Sequence, residues 1–146
     1  MRTRLASAIR FIKLWAAAGA LYGAADLIFS WNPIAAAPYL AHRAEPVFRA
    51  FPLLGFGAVA ENINGLVSAS AFLLVGRSIE GSVVRRGGLF GLMAWGFWVV
   101  SGTMSAYATL NLPASVALMN ALFGLPKCLA IGCGIAWVDG KLRPVS

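Results

Sequence analysis

Four long apolar runs, at about residues 14–31, 53–75, 88–110 and 114–138, constrain this chain more than any other feature. Each is close to the ~20 residues a helix needs to cross a hydrocarbon layer of about 30 Å. Because lipid offers the backbone no hydrogen bonds, a run of this length is stable there as a helix that satisfies its own. Composition agrees: 60% of the 146 residues are hydrophobic and 12% charged, against about 25% charged in ordinary soluble domains, and the mean hydropathy is +0.77. The sequence predicts an all-α integral membrane protein, a bundle of four transmembrane helices forming a single membrane domain over residues 1–146.

The runs have recognisable ends. Lys13 and Trp31 flank the first, Pro52 and Arg77 the second, Arg86 and the Asn111-Leu112-Pro113 turn the third, and Trp137, Lys141 and Arg143 close the fourth. The short last connection predicts a tight antiparallel hairpin of helices three and four. Basic and small residues in the first run (Ala16-Ala17-Ala18, Gly23-Ala24-Ala25) also fit a secretory signal peptide or an organelle transit sequence. The continuation of the apolar run to Trp31 favours a stable span.

Lysine and arginine in short loops set orientation. The N-terminal segment holds Arg2, Arg4, Arg10 and Lys13, the loop 76–87 holds Arg77, Arg85 and Arg86, and the tail holds Lys141 and Arg143, so nine lie on one side. Only Arg43 and Arg49 lie on the other. Both termini are therefore expected in the cytoplasm, as an even number of spans requires, with 76–87 a cytoplasmic loop. The formal charge of +7 serves as this topology signal. Its clusters are split by apolar runs, so no nucleic-acid partner is expected. The expected surroundings are lipids of a bacterial inner membrane and either a second copy of the chain or a larger membrane complex.

The outer loop 32–52 carries Pro33, Pro38, Pro46 and Pro52 and mixes Tyr39, Leu40, Val47, Phe48 and Phe51 with His42, Arg43, Glu45 and Arg49. This predicts a segment on the outer surface, with a short interfacial helix or a lid over a site as its two forms. With His42 the single histidine, paired-imidazole haem and multi-histidine metal sites are excluded. Cys128 and Cys133 lie about 140° apart on one helix, which suits neither a disulfide nor a metal motif, so no cofactor is expected.

Polar residues inside the runs can be tested for a common face at 100° per residue. With Glu61 at 0°, Gly57 falls at about −40°, Asn64 at about −60°, Gly65 at about +40° and Ser68 at about −20°. Asn120, Gly124 and Gly134 share the face of Lys127, and Asp26 shares that of Gly19, Tyr22, Gly23 and Ser30. Ser101, Ser105, Ala94 and Ala108 align in the third run. Four faces of small and polar residues predict a bundle with a hydrophilic interior. At 1.5 Å per residue Asp26 lies roughly 8 Å below the outer boundary, Glu61 roughly 12 Å, Ser101 roughly 14 Å and Lys127 roughly 20 Å. Snorkelling of the lysine upward gives a Glu61–Lys127 ion pair.

A charge at mid-membrane costs at least ~2.5–3.5 kcal/mol. Two acids and one base leave one carboxyl in excess, so Asp26 or Glu61 is expected to be protonated at neutral pH or to bind a cation. The candidate site is Glu61, Lys127, Asp26, Asn64, Asn120 and Ser101, with Glu61 exchanging a proton and Asp26 the secondary acid. The same groups also suit interhelical glue, at about 0.6 kcal/mol per polar contact. Pro126 is expected to free the carbonyl of Leu122 and kink the fourth helix. Gly19-xxx-Gly23 suits close packing, and Trp95, Phe97 and Trp98 suit lipid, core or a cavity wall.

Three functions follow. Transport of a small solute or ion coupled to protonation of Glu61 ranks first, a non-catalytic accessory subunit second, and a membrane enzyme acting on a lipid or quinone last. The enzyme has Ser101 as its one nucleophile in reach and no histidine to activate it. The topology has a direct test in a background lacking Cys128 and Cys133. Cysteine placed at Arg43 should react with an impermeant maleimide in intact cells, and cysteine at Arg85 only after permeabilisation; the reverse pattern overturns the orientation.

Overall fold

The computed structural model describes residues 2–29, 32–44, 56–76 and 78–142, with the backbone alone for 2–6, 29 and 56–58. Ser30, Trp31, Arg77 and Arg143 lie outside the described residues, as does 45–55 with Glu45, Pro46, Val47, Phe48, Arg49, Phe51 and Pro52. The elements are α1 (Arg2–Phe29), α2 (Pro33–His42), α3 (Phe56–Ala71), α4 (Val83–Ala94), α5 (Ser101–Thr109) and α6 (Ala114–Lys141). A wider π-helical turn, Phe72–Gly76, prolongs α3, and another, Trp95–Val100, joins α4 to α5 without a break. Four helical stretches, Ser7–Ile28, Val59–Gly76, Val83–Thr109 and Ala114–Lys141, are long and apolar enough to cross a membrane.

Local chemistry explains the boundaries. The third span starts at Val83 rather than 88, because Ser82 is its N-cap and its hydroxyl accepts from the Arg85 amide at 3.2 Å. Arg85 and Arg86 thereby move from the expected loop into the first turn of α4. Asn32 caps α2, its Oδ1 accepting from the amides of Ile34 at 3.1 Å and Ala35 at 3.0 Å, with Pro33 at the first helical position. The expected short helix of the outer segment is thus α2. Between α5 and α6, Asn111 takes a φ of 51°, a left-handed conformation that asparagine tolerates better than most residues.

α6 sits between α1 and α4 and runs antiparallel to both. Arg10 reaches Asp139 while Asp26 reaches Lys127, and Gly87 lies against Cys133 while Gly91 lies against Cys128. A Cβ on Gly87, Gly91 or Gly132 would collide with the backbone of the facing helix, so these three glycines let α4 and α6 touch main chain to main chain. Gly65 does the same for α3 against Gly19 of α1. Gly23, the other half of Gly19-xxx-Gly23, has open space before it. The buried core runs through Leu14, Ala18, Phe72, Phe90 and Ile135, with the Phe72 and Phe90 rings edge to face at 5.1 Å. Leu27, Leu74, Phe97 and Leu118 remain exposed around the outside, a pattern suited to lipid.

Close packing at Gly91 predicts the effect of one added methyl. Gly91→Ala should force α4 from α6 and lower stability by about 1–3 kcal/mol, the usual penalty of overpacking. Gly88→Ala meets nothing within contact range and should be neutral or slightly stabilising. Denaturant unfolding in detergent, followed by circular dichroism, checks both; equal effects overturn the assignment.

Candidate functional site

Among the described residues, two charged clusters lie within the bundle, one at the C-terminal end of α6 and one at its middle. At one end Asp139 is fully buried and accepts from Arg10 at 2.6 Å and from Arg86 at 3.2 Å. Arg86 also lies 5.5 Å from the centre of the Phe72 ring, where the face of the π-system attracts a cation. Sequence reasoning missed this cluster. It ended the fourth span at 138 and read both arginines as loop charges, although aspartate one residue inside a basic tail is itself a signal of pairing.

The second cluster joins α1, α3 and α6. Lys127 donates to Asp26, and its Nζ also lies 5.9 Å from the centre of the Tyr22 ring. Glu61 stands beside this pair, within reach of Asp26, Lys127 and Asn64. Its Oε2 is buried and has no hydrogen-bond partner among the described residues. The ion pair of Lys127 is therefore with Asp26, which corrects the Glu61–Lys127 pair expected from depth. Depth was counted from the end of the first run at Trp31, and it set Asp26 roughly 12 Å above Lys127, whereas the packing of α1 on α6 brings the two level. A buried carboxyl oxygen with no donor is costly, which marks Glu61 as the atypical member of the cluster.

In front of this cluster lies a cavity of about 660 Å³, within the range of sites for small organic ligands. Lys127, Asn64 and Asn120 give it a polar end, and Trp98, Met119 and Phe123 supply apolar wall. Asp26 and Glu61 are not among its lining residues; Lys127 is the charged residue on its wall. α2 covers part of it with Ala35, Ala36, Tyr39 and Leu40. The α2 helix is held there by a contact of 3.3 Å between His42 Nε2 and the Ser115 hydroxyl at the start of α6.

Of the six expected site residues, Lys127, Asn64 and Asn120 line the cavity, and Asp26 and Glu61 adjoin Lys127 without lining it. The sixth, Ser101, is exposed and away from the cavity wall. Its alignment with the interior assumed 100° per residue throughout, and the π-helical turn Trp95–Val100 just before it shifts the phase. Thr103 is buried in its place and accepts from Asn120 Nδ2 at 2.7 Å. Within the aromatic group Trp98 lines the cavity, Trp95 donates to the Ala121 carbonyl at 2.8 Å, and Phe97 faces outward. Pro126 stays within the continuous α6 helix one residue before Lys127. Among the described residues, no group of histidine, cysteine, aspartate and glutamate could hold a metal ion.

Partner choice within the cluster can be measured. A double-mutant cycle between Asp26→Asn and Lys127→Met should give a coupling of about 1–3 kcal/mol, in the range for contacting charged groups. A Glu61→Gln and Lys127→Met cycle should give less than half of that, and the opposite order would reverse the pairing. Compared with known proteins, the chain matches no family model, no curated protein and no solved structure.

Proposed function

We propose that the chain is a small multi-pass transport protein of a bacterial inner membrane, with both termini cytoplasmic, that moves a small solute together with a proton carried by Glu61. The observation that carries this reading is the buried, unpartnered Oε2 of Glu61 beside a Lys127–Asp26 pair. One base balances one of two carboxyls. The other is neutral only when it holds a proton, and a neutral carboxyl could donate where a carboxylate cannot. The pair and Glu61 together therefore form a group able to gain or lose one proton deep in an apolar bundle, where such groups mark ion and proton pathways.

The positions of the other residues suit this role. Lys127 lines the cavity and pairs with Asp26, Asn64 reaches both the cavity and Glu61, and α2 covers the space on the side assigned to the cell exterior by the arginine count. An accessory subunit would use its polar groups to dock on other chains, and it would leave purification at a fixed ratio with other polypeptides.

In proteoliposomes stepped in pH, a dye assay should find one exchangeable proton per chain in the parent that Glu61→Gln lacks. Lys127→Met should keep a proton-binding group but shift the pH at which it responds. If Glu61→Gln left both the number of protons and their pH dependence intact, the reading would be abandoned.

A further inference from the structure

Lys127 is the charged residue on the cavity wall, and its partner Asp26 and neighbour Glu61 are not among the lining residues. We infer that the cavity binds an amphiphilic monoanion, an organic carboxylate with an aromatic or alkyl body, and that the anion displaces Asp26 from Lys127 so that one proton is taken up with each anion bound. This rests on the proton-exchange reading of Glu61 and names the solute that site would accept.

Shape and chemistry select this class. Trp98, Met119 and Phe123 offer apolar contact to a body, and a volume of about 660 Å³ admits a molecule much larger than an inorganic ion. At the polar end Lys127 and the Asn64 amide can donate to an acceptor group. A cationic solute would meet the ammonium as the charged group on the cavity wall and be repelled by it.

Charge balance then fixes the coupling. With the site empty, Lys127 is positive, Asp26 and Glu61 share one proton and one negative charge, and the total is zero. When an anion takes the hydrogen bond of Lys127, the two acids lose their counter-charge and the total falls to −1. One proton from water forms a single O–H bond on the deprotonated carboxyl and restores zero, leaving both acids neutral. No other bond changes. The groups facing this exchange are Tyr22 and Asp26 from α1, Glu61 and Asn64 from α3, and Lys127 and Cys128 from α6. The Tyr22 hydroxyl is engaged with Ser68 at 2.7 Å, and Lys127 is the one cation among them.

The test uses the full chain in phosphatidylcholine nanodiscs and three probes of one shape: 2-naphthoate, neutral 2-naphthamide and cationic 2-naphthylmethylammonium. Isothermal titration in two buffers of different ionisation enthalpy counts the protons. Naphthoate should bind at least tenfold more tightly than either of the others, with close to one proton taken up per molecule at pH 7. Lys127→Met should lose the preference for the anion, and the paired variant Asp26→Asn with Lys127→Met, which removes the buried ion pair as a unit, should lose it while remaining folded. Preference for the ammonium probe, or naphthoate binding without proton uptake while Glu61 still exchanges its proton, overturns the inference and leaves the proton site standing. Absence of an exchangeable proton on Glu61 overturns the reading beneath it.

Discussion

The bundle depends on two ion pairs that tie α1 to α6, one between the early part of α1 and the end of α6, the other between the end of α1 and the middle of α6. α1 carries a base at Arg10 and an acid at Asp26, and α6 carries a base at Lys127 and an acid at Asp139. Antiparallel packing matches each base with an acid. A parallel arrangement would set Arg10 near Lys127 and Asp26 near Asp139, with like charges facing across a medium of low dielectric. Since an unpaired charge at mid-membrane costs several kcal/mol, orientation and register follow from four residues, and the glycine contacts refine them.

The same constraint produces opposite chemistry in the two clusters. The Arg10, Asp139 and Arg86 cluster has one base in excess, and a guanidinium does not deprotonate in proteins. The arginine charges stay fixed, so the cluster holds α1, α4 and α6 together as long as Asp139 is ionised. The Asp26, Glu61 and Lys127 cluster has one carboxyl in excess, and a carboxyl can remove its charge by taking a proton. Three residues of similar arrangement thus leave a surplus base in one cluster and a surplus carboxyl in the other.

Much of this was legible in the sequence, for reasons specific to each feature. The four spans were clear because length and apolarity alone define them. The shared faces of Glu61 with Asn64 and of Asn120 with Lys127 were visible because each pair follows the helical period within its own uninterrupted helix. Ser101 was misplaced where the period breaks, at the π-helical turn Trp95–Val100, which a residue-by-residue wheel does not contain. Partner choice was also hidden. Whether Lys127 meets Glu61 or Asp26 depends on how α1 slides along α6, and that slide is set by Arg10 and Asp139 about 18 Å away along the helix, at 1.5 Å for each of the twelve residues between positions 127 and 139. Asp139 fell outside the fourth run, which was ended at 138 on the interfacial character of Trp137 and the charges of Lys141 and Arg143.

The cavity follows from how α4, α5 and α6 divide their contacts. Between Gly87, Gly91 and Gly132 the two long helices meet through backbone, with no side chain between them. Toward Pro113 the contact passes to side chains: Val99 against Gly124, Trp95 onto the Ala121 carbonyl, and Thr103 with Asn120. Glycine contacts hold the helices tight at one end, while bulkier groups hold them apart at the other. The π-helical turn widens the backbone at the same level, and α2 lies over the opening that remains. Space and charge therefore meet at Lys127 for separate reasons: the glycines close the seam between α4 and α6 on the side of Gly87 and Gly132, and the pairing with Asp26 holds the ammonium at the edge of the cavity beyond it.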